Sequence, residues 1–253
     1  MLQQTYVRRL DANMLKLIAI LAMTADHLAW LLFPGYSTVP IALFLHVIGR
    51  LTCPIMCYFI AEGYHYTRSV RRYAARLFIF AFISHFAYIF ASGDYVDAWS
   101  FVPFSRGSVF NQTGVMWSLA WGLVMLCIND AERLQTWAKT LLVLLICLVA
   151  FPADWSCIAS LCVLSVGANR GNARRQIAWC VFYVSIYAAV YALALDPLYG
   201  LLQLCAVFSV PLLGLYNGRR GAAPKLNRIM KWGFYVYYPL HLTIIGLLRE
   251  FVL

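Results

Sequence analysis

Charge is what this sequence has least of. Only 12% of its 253 residues are charged, against roughly 25% in a soluble domain, and 63% are hydrophobic. Such a chain cannot cover a water-facing surface, which excludes an ordinary soluble enzyme and points to solution in lipid. Acids are scarcest: ten Asp and Glu stand against 20 Lys and Arg. There is also no soluble domain, no low-complexity linker and no fixed-period repeat, so residues 1–253 read as one transmembrane domain. The eight cysteines lie in or at the ends of apolar runs without metal-ligand spacing, which excludes a zinc site and a disulfide framework; no metal is expected. The net charge of +10 raises nucleic acid as a partner, but the cations are scattered over short loops and no nucleic-acid motif accompanies them.

What is present is a series of apolar runs close to the length needed for ~30 Å of hydrocarbon. They fall at 14–33, 41–61, 74–92, 112–129, 136–152, 155–168, 177–195, 199–216 and 232–250. The reading is an all-α, polytopic integral membrane bundle of about nine transmembrane helices. The fifth and sixth runs, separated by Pro152-Ala153-Asp154, read as a tight hairpin or a partly re-entrant pair. One set of loops holds 16 of the 20 basic residues: Arg8, Arg9, Arg68, Arg71, Arg72, Arg76, Arg133, Lys139, Arg170, Arg174, Arg175, Arg219, Arg220, Lys225, Arg228 and Lys231. The other face has only Arg106 and Arg249. Positive charge collects on the cytoplasmic side, so the N-terminus is expected in the cytoplasm, the C-terminus outside, and the chain in the cytoplasmic membrane as a multi-pass protein. Arg8, Arg9 and Asp11 lead straight into a full-length apolar run with no small-residue cleavage site, so the first helix is expected to be retained.

Against this apolar background Asp26-His27 stand out, because ionisable groups in hydrocarbon are costly and collect at functional sites or wet cavities. At ~1.5 Å per helical residue, Asp26-His27, Arg50, His85 and His241 reach similar depths near the membrane middle. They are expected to share one buried polar chamber. For His46 the better expectation is a hydrogen bond to a neighbouring helix, and for His85 both readings stand. Arg50 lies in Gly49-Arg50-Leu51-Thr52-Cys53-Pro54, where glycine permits close approach and proline opens the backbone ladder one turn later. A guanidinium there suits an oxyanion or phosphate, or a structural ion pair with Asp26. At the basic end, Glu62-Gly63-Tyr64-His65-Tyr66-Thr67-Arg68 through Arg71, Arg72 and Arg76 combine aromatic faces with cations. That suits phosphate and adenine binding, and equally an ordinary interfacial belt.

Lys16-Leu17-Ile18-Ala19-Ile20 through Asp26-His27, Gly49-Arg50 with Pro54, Glu62-Gly63, the Arg68–Arg76 segment, Tyr216-Asn217-Gly218-Arg219-Arg220-Gly221 and Tyr238-Pro239-Leu240-His241-Leu242 together resemble the TraX family, in the same order and over nearly the whole chain. That family includes a conjugative-pilin N-acetyltransferase and groups with transmembrane acyltransferases. The pattern departs at Thr113-Gly114-Val115-Met116-Trp117-Ser118, where Gly114 stands in place of an expected Asn and Asn111 lies one turn earlier; Asp154-Trp155 resembles an Asp-aromatic pair of the family.

The resemblance implies transfer of acetyl from acetyl-CoA, a CoA thioester, to an amine or hydroxyl of a pilin-like peptide or envelope sugar. In that reading His27 is the base, Asp26 orients it, Arg50 polarises the thioester or holds phosphate, and His241 is a second base or orienter. Arg50, His65, Arg68, Arg71, Arg72, Arg76, Asn217, Arg219 and Arg220 bind the CoA portion. A homodimer is left open. Two other classes remain: a proton-coupled transporter using the same ionisable groups, against which the sequence offers no inverted repeat or paired broken helices, and a non-catalytic assembly scaffold, which would not need His27.

Overall fold

The computed structural model describes residues 9–105 and 110–252; Arg8 and Arg106, counted in the charge bias, lie outside them. Helices dominate, with only isolated bridges at Leu10–Tyr216 and Thr113–Ala153 among the described residues.

The first helix, α1 (Ala12–Leu32), begins where the Asp11 carboxylate accepts the Met14 N–H at 2.9 Å. It runs from the basic end of the molecule to the opposite end. The chain returns through α2 (Pro40–Gly49) and α3 (Thr52–Tyr66). One apolar run thus becomes two helices, and the break lies at Arg50-Leu51, ahead of Pro54. Pro54 sits in the first turn of α3, where its missing N–H has no intrahelical partner to lose. Next, α4 (Val70–Ser92) starts on the Ser69 cap and ends at Gly93 in a left-handed conformation (φ 72°).

Three shorter helices follow: α5 (Val115–Asn129), α6 (Thr136–Ala150) and α7 (Ser156–Ala168). Then α8 (Ala173–Ala194) leads into a second interrupted passage, α9 (Pro197–Gln203), a 3-10 stretch Leu204–Phe208, and α10 (Ser209–Gly214). The 28-residue α11 (Pro224–Phe251) closes the bundle and packs along α1 and α4.

Five helical segments among the described residues are long and apolar enough to cross a membrane: Ala12–Leu32, Pro40–Tyr66, Val70–Ser92, Ala173–Ala194 and Pro197–Gly214. The chain is therefore a membrane protein. The reading of nine full crossings exceeds these lengths, since α5, α6 and α7 have 13 to 15 residues, or ~20–22 Å. Part of the expected fourth run is spent on an irregular segment at 110–114, zipped to the α6–α7 connection by Gln112 N–H to Pro152 O (2.7 Å) and Asp154 N–H to Thr113 O (2.8 Å). The α6–α7 pair is the tight hairpin that the short Pro152-Ala153-Asp154 spacer implied.

The molecule also differs from the sequence reading in having two broken helices that meet. Arg50, at the α2–α3 break, donates through Nη1 to Gln203 Oε1 at 2.9 Å, where α9 gives way to the 3-10 stretch. Irregular backbone at membrane depth is tolerated where protein buries it or it lines a cavity.

Candidate active site

Asp26 and His27 are neighbours on α1, so their side chains leave the helix about 100° apart and serve different partners. Asp26 Oδ1 accepts from His46 Nδ1 at 2.8 Å and from Arg50 Nη2. Arg50 is held further by Nε to His46 O (3.2 Å) and by Gln203. Gly49 makes the cluster possible, because a Cβ there would collide with the Asp26 side chain. His46 is sealed against Trp30 and Tyr199, with ring centroids 4.7 and 5.2 Å away.

His27 turns the other way, to α11. Its Nδ1 lies 2.7 Å from His241 Nε2. The rings are within 5° of parallel with centroids 4.9 Å apart, a separation equal to the hydrogen bond plus the two ring radii. They therefore lie edge to edge in nearly one plane, which is good hydrogen-bond geometry. His241 Nδ1 is 2.9 Å from the Tyr237 carbonyl oxygen. A carbonyl only accepts, so His241 Nδ1 carries a proton, its Nε2 accepts, and His27 Nδ1 donates. This network assigns the tautomers and leaves His27 Nε2 with its lone pair uncommitted among the described residues. The Tyr237 ring lies parallel to His241 at 5.0 Å, and its hydroxyl is 2.6 Å from Thr24 Oγ1, itself bonded to Ile20 O.

His27, Asp26 and Arg50 line a cavity of about 590 Å³. It extends past Trp30, Tyr187 and Asp154 to Gly35, Asp94 and Arg249, at the ends of α1, α4 and α11 away from the basic loops. Asp154 is set there by strained backbone: Trp155 and Ser156, which follow it, have φ of 60° and 49°, a conformation that costs non-glycine residues energy and clusters at functional sites. Trp155 stacks on Tyr187 at 4.2 Å, and Ser118 Oγ reaches Asp154 O at 3.4 Å. Burial pushes the Asp154 carboxyl up to about 6, with Arg50 pulling against it. Gly114, the departure from the family pattern, lies under the Tyr238 hydroxyl, and a Cβ would collide with it. Asn111 has a left-handed backbone (φ 54°) and lines the same cavity.

The expected site residues fall in different parts of the structure. His46 and Arg50 share Asp26 Oδ1, and the side chain hydrogen-bonded to His27 is His241. His46 makes the expected hydrogen bond to a neighbouring helix, to Asp26 on α1, whereas His85 points to the Phe101 carbonyl (Nε2 to O, 3.2 Å) and is not in the cavity wall. Of the residues assigned to CoA, only Arg50 reaches the cavity. His65 bonds Gly167 O at 3.2 Å; Arg68, Arg71, Arg72, Arg219 and Arg220 are exposed at the opposite end, and Arg76 packs on the Tyr73 ring. The Tyr216–Gly221 loop clamps the start of α1: Ala12 N–H reaches Arg219 O at 2.9 Å, Asn13 N–H reaches Arg220 O at 3.3 Å, and Asn217 Oδ1 accepts the Arg219 N–H at 2.8 Å. Gln203 and Tyr237 were missed, although a lone glutamine in an apolar run was a visible signal.

The TraX protein family matches residues 11–249. A "Probable fimbrial assembly protein FimC, serogroup H1" of Dichelobacter nodosus is 26% identical over 251 residues, covering 96% of this chain and 97% of that protein. No solved structure matches. The match spans nearly the entire chain, and this protein belongs to the TraX family.

Proposed function

We propose that this protein is an acetyltransferase of the cytoplasmic membrane that moves acetyl from acetyl-CoA to the amine of a pilin-like membrane peptide, with an envelope-sugar hydroxyl as the other acceptor class. The observation that carries the reading is the uncommitted Nε2 of His27 in a cavity wall, backed by His241. The fimbrial name of the relative favours the peptide acceptor.

The donor brings an activated thioester, and the chain's residues manage the proton. His27 Nε2 takes it from the acceptor nitrogen as that nitrogen bonds to the acetyl carbon. The resulting imidazolium is stabilised through its Nδ1–H on His241 Nε2. As the carbon–sulfur bond breaks, the proton returns from His27 to the departing sulfur, so CoA leaves as a thiol and the amide is neutral. Asp26, Arg50, His46 and Gln203 hold the two helix breaks together and so fix one cavity wall. The exposed arginines at the basic end suit the CoA phosphates. Arg220 backs the start of α1, and His27 lies 15 residues beyond Ala12, ~22 Å along the helix, so an extended pantetheine arm of roughly 15–20 Å falls about 2–7 Å short from there and reaches His27 only with its phosphate end drawn that far in between the helices. The acceptor then uses the other end of the cavity.

The transporter reading gains from the paired helix breaks at Arg50 and Gln203, a feature of secondary transporters. Binding and slow hydrolysis of acetyl-CoA by purified protein in nanodiscs, against free CoA and a non-thioester analogue, separates the two. The acetyltransferase binds the thioester saturably and loses hydrolysis in His27→Ala; a well-folded protein that binds no CoA species sinks the proposal and leaves the transporter.

A further inference from the structure

The cavity contains a second guanidinium that the acyl-transfer chemistry does not use. Arg249, in the last turn of α11, lines the wall at the end away from the basic loops. Arg50 is committed to Asp26, Gln203 and the His46 carbonyl, but Arg249 Nη1 is buried without a hydrogen-bond partner. The neighbouring Glu250 accepts from Tyr95 Oη at 3.0 Å. A buried cationic nitrogen without a partner is unfavourable unless something supplies the acceptor.

The seat for this side chain is built rather than left over. Gly93 ends α4 with φ 72°, and a Cβ there would lie 2.5 Å from Arg249 Nη1 and 3.0 Å from its Cδ. The turn after α4 thus makes room for the guanidinium at the cavity wall. A cation in the last helical turn also complements the helix dipole, but a solvent-facing side chain serves that purpose as well and needs no glycine seat.

We propose that Arg249 is an anion subsite of the acceptor pocket, gripping a carboxylate or phosphate that the acceptor carries about 12 Å further along the α11 axis than the level of the His27–His241 pair. The spacing follows from the eight residues that separate Arg249 from His241 on α11, at ~1.5 Å each. Guanidinium matches both oxyanions through its planar fork. An extended peptide advances ~3.3 Å per residue, so an acid at the fourth position of a peptide acceptor fits. The subsite rests on the acyl-transfer reading for its meaning, yet it is testable by binding alone.

The test uses full-length protein in phosphatidylcholine nanodiscs, so that no anionic lipid competes. Fluorescence of the cavity tryptophans Trp30 and Trp155 is followed while the amide-capped tetrapeptides Ala-Gly-Gly-Asp, Ala-Gly-Gly-phosphoserine and Ala-Gly-Gly-Asn are titrated. Wild type is expected to bind the two anionic peptides at least 10-fold more tightly than the Asn peptide, Arg249→Lys to keep part of that preference, and Arg249→Gln to bind all three alike at an unchanged melting temperature. Equal binding of the three by wild type, no binding of any, or a preference that survives Arg249→Gln overturns the subsite. Acetylation of the peptides is read separately by mass spectrometry: charge-selective binding without acetylation sinks the transfer reading and leaves the subsite standing.

Discussion

Replacing His241 gives a graded prediction, because its Nε2 and Nδ1 do different things. Nε2 receives the His27 Nδ1–H at 2.7 Å, and Nδ1 is tied to Tyr237 O at 2.9 Å. When His27 accepts a proton, its bond to His241 becomes a hydrogen bond to a charged donor, worth about 1.5–3 kcal/mol. At 1.36 kcal/mol per decade, losing it costs about 10- to 150-fold in rate. Gln at 241 keeps an amide oxygen near the Nε2 position; Phe keeps the ring shape without an acceptor. The expected order of acetyl-transfer rates in nanodiscs is therefore wild type, His241→Gln, His241→Phe, with His241→Phe down by that factor. His27→Gln, which removes the base itself, falls by about 10²- to 10⁴-fold. The double variant His27→Gln/His241→Phe should be no slower than His27→Gln, because the second residue acts through the first. A His241→Phe enzyme at wild-type rate, or a double variant markedly slower than His27→Gln, refutes the relay.

Arg50→Gln strands a buried Asp26 carboxylate and is expected to cost about 3–5 kcal/mol, seen as a large drop in thermal midpoint; adding Asp26→Asn should restore much of it, and no recovery contradicts a mutual pairing. Gly114→Ala must push the Tyr238 hydroxyl aside and should cost about 1–3 kcal/mol, whereas Gly214→Ala, with no atom in the way, should be nearly silent by the same melting assay. For Asp154, the folded state raises the carboxyl from 3.8 to about 6, so it holds its proton more tightly than the unfolded chain. Its contribution is fully present below about pH 3.8 and lost as pH rises through about 6. Asp154→Asn should accordingly stabilise the protein at pH 8 by up to about 3 kcal/mol and have little effect at pH 4; stabilisation that grows toward acid pH would show the sign to be wrong.

The membrane class was legible because hydrophobic content and run length act through one solvent, the bilayer, and need no knowledge of packing. The interruptions were less so. The break at Arg50-Leu51 had a local sign in Gly49 and Pro54, but the one at Gln203-Leu204 lies where side chains from different helices meet, a tertiary cause that local propensity does not report. Depth arithmetic brought His27, Arg50 and His241 to one level, but depth says nothing of azimuth. His85 shares that depth and faces the Phe101 carbonyl, while His46, one turn before Arg50, shares its helix face and reaches Asp26. Azimuth also explains why Asp26 and His27, adjacent in sequence, act on separate partners. For the Tyr216–Gly221 motif the family resemblance implied ligand binding, and the structure adds that its backbone secures the start of α1. Carbonyl commitments of that kind are invisible in a one-dimensional pattern.

The central claim is that His27 presents a bare Nε2 to the cavity while donating through Nδ1 to His241, and ¹⁵N solid-state NMR of histidine-labelled protein in nanodiscs measures it directly, with His27→Gln and His241→Gln samples for assignment. The account predicts, at neutral pH, an unprotonated Nε2 and a protonated Nδ1 on both rings, with a coupling between His27 Nδ1 and His241 Nε2 across their hydrogen bond. A His27 protonated on Nε2, or the absence of any coupling between the two rings, contradicts it.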